Sequence, residues 1–262
     1  MSLPTATWAE IYLYPVLVTM ALWGGLTLGL LWLNRRTPEQ RRLVLFLLIS
    51  VVVLAHLHIW DTRNDLSIWG NYRAYLAGML IWTWHELSFY SGLLTGPWQQ
   101  PCPPEAQGWQ RFKYALDTHL YHEIAMILEI VLLWWMLHGA ANQIGLLTII
   151  LGWALMQSAK LNVLLGVRSL PVHWLPEHLW YLGSFWAQRP SNPFFLPSIM
   201  VATVVAVLLW LQATYLAPAS SAVGMTLLAV LAMLGVLDHW LLVLPLYNQE
   251  AQPVVQWVEP EV

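Results

Sequence analysis

Seven runs of about 20 apolar residues, separated by short polar connections, restrict this chain more than any other feature, because a helix of that length at about 1.5 Å per residue crosses a hydrocarbon core. They cover Ile11 to Leu33, Leu43 to Trp60, Ala74 to Thr95, Tyr114 to His138, Ile144 to Val167, Phe194 to Leu216 and Val223 to Pro245. The reading is an all-α, polytopic integral membrane bundle with the lipid bilayer as its solvent. Residues 1–246 form the bundle and residues 247–262 an acidic cytoplasmic tail without order-forming signals. Composition agrees: 58% of the residues are hydrophobic and only 10% charged, outside the range of an ordinary soluble domain. The N-terminal residues lack the basic region and cleavage site of a signal peptide, so the first span is expected to be retained.

Loop charge sets the orientation, because cytoplasmic loops keep Lys and Arg. Arg35, Arg36, Arg41, Arg42, Arg111, Lys113, Arg168 and Arg189 fall in one set of loops, and only Arg63 and Arg73 in the other. The N-terminus is therefore expected outside and the C-terminus inside. A net charge of −3 and the absence of a long basic run exclude nucleic acid as an expected partner. Cys102 is the only cysteine, so neither an intramolecular disulfide nor a cysteine-based metal site can form. The 18 tryptophans suit anchoring at the two interfaces, and could also stack on a flat pigment.

Ionisable residues inside the spans carry the functional signal. Counting from the cytoplasmic end of each helix at about 1.5 Å per residue places His122 roughly 13 Å deep, His85 about 15 Å, Lys160 about 11 Å and His239 about 10 Å. Four helices thus contribute to one layer. His85-Glu86, His122-Glu123 and Asp238-His239 each set a carboxylate beside an imidazole, and Glu177-His178 repeats the pairing in a cytoplasmic loop. On a continuous helix His119, His122, Glu123 and Glu129 share an arc of roughly 120°, with Asp117 opposite. A charge at the bilayer centre costs at least ~2.5 kcal/mol, so these groups must pair or hold something.

Three occupants of the layer remain open. Paired His and carboxylate groups suit iron, manganese or zinc, with His85, Glu86, His119, His122, Glu123, Asp238 and His239 as candidate ligands. A bacteriochlorophyll-type pigment could instead be ligated by His85, His122 or His239 and packed by aromatic side chains. The bland alternative is interhelical polar glue, with Glu129, Lys160, Glu177 and His178 as charge partners. The short turn "GAANQ" makes the fourth and fifth spans antiparallel neighbours, so Lys160 can face Glu123 or Glu129. His56 and His58 diverge by about 160° and are read as structural. The run after Pro176 is expected to lie along the inner interface as an amphipathic helix.

Six segments, "WHELSFYSGLLTGP", "CPPEAQGWQRF", "LYHEIAMI", "QSAKLNVLLGVRSL", "LPEHLWYLGSF" and "DHWLLVLPL", together resemble the PuhE family, photosynthetic complex assembly protein 2. They run in order from Trp84 to Leu246 and leave the first two spans weakly covered. The resemblance implies a bacterial inner-membrane protein that helps reaction-centre and core light-harvesting subunits accumulate. It transfers no catalytic residues. A membrane metalloenzyme acting on a pigment, carotenoid or quinone, and a ligand-free scaffold, are the rival readings.

Overall fold

The computed structural model describes residues 7–169 and 175–244; the acidic tail expected at 247–262 lies outside the described residues. A π-helical turn at Ala9–Leu13 leads into α1 (Tyr14–Asn34), followed by α2 (Pro38–Thr62), α3 (Ile68–Tyr90), α4 (Gly108–Asp117), α5 (Leu120–Met136) and α6 (Ile144–Leu165). A 3₁₀ helix (Glu177–Phe185), α7 (Phe195–Leu211) with a π-helical extension (Gln212–Leu216), and α8 (Ala219–Leu241) complete the order.

Local chemistry explains where these helices begin. The α2 start lies several residues before the apolar run because Thr37 and Gln40 form a capping box and Pro38 occupies the first turn. Likewise α3 starts at Ile68 because the Ser67 hydroxyl accepts from the Gly70 N–H.

Five helices are long and apolar enough to span a membrane, or up to six if the bent α4–α5 pair is one span. The missing member of the expected seven is α3, whose apolarity falls short because it carries Asn71, Arg73, His85 and Glu86. It packs against α1, α2, α5, α6 and α8, so protein rather than lipid surrounds it and an apolar circumference is unnecessary. Still, α3 runs the full length of the bundle. At one end the Asn142 side chain donates to the Asp65 carbonyl at 2.8 Å and that of Asn71 to the Ser220 carbonyl at 2.9 Å. At the other end Arg41 meets His178 beside the Tyr90 carbonyl, and the Ser169 N–H donates to the Leu242 carbonyl at 2.9 Å. The eight basic loop residues gather at this second, basic end.

Small residues let the central helices approach. A Cβ added to Gly78 on α3 would lie 2.7 Å from the Gly145 carbonyl oxygen on α6, so larger side chains would force these two helices apart. Outward, Phe46 and Leu57 of α2, Leu128 and Trp135 of α5, and Leu196 and Val201 of α7 are exposed, as helices bathed in lipid require.

The expected span Tyr114–His138 is broken: α4 meets α5 at 66°. Neither proline nor glycine lies at the break. Instead the loop 95–98 wedges into it, the Trp98 N–H donating to the Asp117 carbonyl at 3.2 Å and the His122 N–H to the Thr95 carbonyl at 3.1 Å. These bonds satisfy backbone groups that a continuous helix would have paired internally. Gly96 permits the approach, because any Cβ there would collide with the Asp117 carbonyl.

Candidate functional site

The polar layer lies where α2, α3, α5 and α6 meet. On its α6 side the Glu123 carboxylate accepts from Lys160 Nζ at 2.7 Å, Gln157 Nε2 at 2.7 Å and Trp153 Nε1 at 2.9 Å. Lys160 thus chooses Glu123 of its two expected partners. Trp153 lies four residues before Gln157 and Gln157 three before Lys160, a spacing that puts all three on one helical face.

The other side is built from histidines. His56 Nδ1 lies 2.8 Å from the Val52 carbonyl oxygen, which can only accept, so Nδ1 carries a proton. His56 Nε2 lies 2.7 Å from Glu129 Oε1, and a further proton must sit between those two atoms. The second Glu129 oxygen is 3.5 Å from His85 Nε2. His85 faces His122 with ring centroids 6.4 Å apart, and His122 Nε2 is 3.7 Å from Glu86 Oε1, too far for a hydrogen bond. Both His85 Nδ1 and His122 Nδ1 are buried without a hydrogen-bond partner among the described residues.

His56 therefore joins the layer through Glu129, an interhelical link compatible with its reading as structural. Divergence from His58 excluded a site shared by those two, but left each free to meet another helix. His119 caps the N-terminus of the helix carrying His122 in a non-helical conformation, and both rings lie against Phe89.

Elsewhere the candidates separate. His239 is fully buried but donates from Nδ1 to the Gly235 carbonyl at 2.7 Å and pairs through Nε2 with the Ser158 hydroxyl at 2.8 Å, linking α8 to α6. Its neighbour Asp238 is half-buried and forms no ion pair among the described residues. Glu177 is exposed, and His178 contacts Arg41 rather than the layer. Among the described residues no three His, Cys, Asp or Glu side chains converge as a metal-ligand set.

His119 instead lines a cavity of about 390 Å³ between α3, α4, α6 and the 3₁₀ helix. Phe89, Phe112, Phe185 and Trp186 supply aromatic walls, and Gln157 and Lys160 border it from the Glu123 side. The Thr118 hydroxyl donates to the Ala115 carbonyl at 2.7 Å, so its oxygen accepts at 3.0 Å from His119 Nδ1. That chain fixes the His119 tautomer: Nδ1 holds the proton and Nε2 the lone pair. Nε2 has no hydrogen-bond partner among the described residues and is the nitrogen able to ligate a metal centre.

A family model described as "Protein of unknown function (DUF3623)" matches residues 10–260. The chain belongs to this family. It is 32% identical over 253 residues to a Rhodobacter capsulatus protein named "Uncharacterized 30.4 kDa protein in puhA 5′ region", which covers 94% of this chain and 90% of that protein. No solved structure matches. The DUF3623 match includes the first two spans, which the quoted segments of resemblance leave uncovered.

Proposed function

We propose that this DUF3623 protein is a PuhE-type factor of the bacterial cytoplasmic or intracytoplasmic membrane, serving the assembly of reaction-centre and core light-harvesting complexes. The observation that carries the assembly role is the extended similarity to a protein encoded in the puhA 5′ region. The concentration of basic loop residues at one end supports a cytoplasmic basic end, with the N-terminus outside and the C-terminus inside.

The factor holds a bacteriochlorophyll-type pigment at the cavity beside His119. When bound, such a pigment would supply a central metal able to take an imidazole nitrogen. The chain supplies the remainder: His119 offers Nε2, Thr118 fixes the ring's tautomer, and Phe89, Phe112, Phe185 and Trp186 exclude water from the macrocycle. A cavity of about 390 Å³ is in the range that buries a compact ligand.

Deleting the gene in a phototrophic host should reduce the near-infrared absorbance of its reaction centres and core antenna. Wild-type protein should restore it, and a His119→Ala variant accumulating at normal levels should not. Unchanged absorbance in the deletion strain would overturn the assembly role.

A further inference from the structure

At the basic end a second, polar cavity of about 330 Å³ is lined by Arg41, Arg42, Gln99, His178 and Tyr181. Arg41 is only 8% exposed, yet it makes no ion pair with a carboxylate among the described residues, and its Nε has no hydrogen-bond partner. Glu39 and Glu177, the nearby acidic residues, are exposed and lie beyond ion-pair distance of either arginine. A buried guanidinium without a counter-charge is costly unless something anionic joins it.

The surroundings hold this cation in place without neutralising it. His178 Nε2 lies 3.0 Å from the Tyr90 carbonyl oxygen, so Nε2 is the protonated nitrogen, and Arg41 Nη1 sits against the ring, 2.8 Å from Nδ1 and 3.1 Å from Nε2. Burial and the adjacent Arg41 push the His178 imidazole below its usual range, which keeps it neutral at pH 7. Gly92 makes room for that ring: its φ is +79°, and a Cβ there would lie 2.8 Å from His178 Cδ2. A second unsatisfied donor borders the same space. The Tyr181 hydroxyl lies near the Thr95 side chain but completes no well-formed hydrogen bond among the described residues; it is 8% exposed as a residue and is pushed up to about 12 by burial, so it keeps its proton.

We infer that this cavity binds a phosphate group, held by the Arg41 guanidinium and the Tyr181 hydroxyl with Arg42 at the rim. Guanidinium groups match phosphate oxygens in geometry as well as charge, which favours phosphate over a simple halide. The group can belong to an anionic phospholipid or to free phosphate. Position favours the former: Arg36, at the same end, lies over the Trp32 ring at 4.5 Å, the pairing of basic and aromatic side chains typical of the headgroup level. This inference stands apart from the pigment reading and uses none of its residues.

The test is thermal unfolding of the full chain in a neutral detergent, titrated separately with inorganic phosphate at constant ionic strength, with phosphatidylglycerol, and with a phosphate-free galactolipid. A saturable rise in Tm with phosphatidylglycerol but not inorganic phosphate identifies a lipid headgroup; the reverse identifies a soluble phosphate, and either supports the site. Arg41→Gln should weaken binding about ten-fold or more and Tyr181→Phe about three-fold, while Arg189→Gln, outside the cavity, leaves it unchanged. If Arg41→Gln does not fold, Arg42→Gln and Tyr181→Phe carry the readout. Absence of a saturable shift with either phosphate source, an equal shift with galactolipid, or wild-type affinity in the folded cavity variants would overturn the inference.

Discussion

On the α6 side of the polar layer, Glu123 receives a lysine, an indole N–H and an amide N–H within 2.9 Å, whereas on the α2 side five ionisable side chains are joined by one short contact. Among the described residues His85 and His122 each keep an unpartnered ring nitrogen there, and Glu86 Oε1 lies 3.7 Å from His122 Nε2. The contrast arises although His85-Glu86 and His122-Glu123 are identical pairs in sequence. What differs is the neighbouring helix: α6 presents Trp153, Gln157 and Lys160 on one face, whereas α2 presents His56 alone. A satisfied ion pair fixes α5 against α6, and the more sparsely bonded side leaves its histidines fewer constraints.

Breaking the satisfied side should have the largest effect. Lys160→Met strands the Glu123 carboxylate and should cost about 3 kcal/mol, measured as a lower Tm of the solubilised protein and lower abundance in membranes. Adding Glu123→Gln should recover part of that loss. Strict additivity of the two substitutions would mean that the 2.7 Å contact is not an energetic pair.

An intermediate effect is expected at Glu129, which joins His56 to His85. Glu129→Leu removes both acceptors and should destabilise by about 2 kcal/mol, with His56→Ala adding little on that background. A large additional loss from His56→Ala would show that His56 acts through another neighbour. The smallest effect should come from Trp153→Phe, which deletes one of three donors to Glu123 and should cost about 1 kcal/mol. A cost equal to that of Lys160→Met would erase the distinction between the ion pair and its auxiliary hydrogen bonds.

The apolar spans are legible because lipid demands continuous hydrophobic surface, and the short α5–α6 turn brings Lys160 to α5 without choosing between Glu123 and Glu129. By contrast, the break at residues 118–119 has no local signal. It is imposed by Thr95 and Trp98, some 20 residues earlier in the chain, whose backbone takes over hydrogen bonds that the helix would have made. Helical-wheel angles therefore do not show that His119, the N-cap at the break, lines the cavity. The place of His56 in the layer is hidden for a different reason: its partner Glu129 lies on another helix. Nor could sequence spacing show that Arg41, in the first turn of α2, is buried against the 3₁₀ helix.

The claim that the His119 cavity holds a pigment meets its most direct test in the absorption spectrum of protein purified from a phototrophic host. Wild-type protein should carry a tetrapyrrole band at reproducible stoichiometry, and His119→Ala should lose it while still reaching the membrane, with His239→Ala retaining the band. Colourless wild-type protein, or a band undiminished in His119→Ala, would contradict the account.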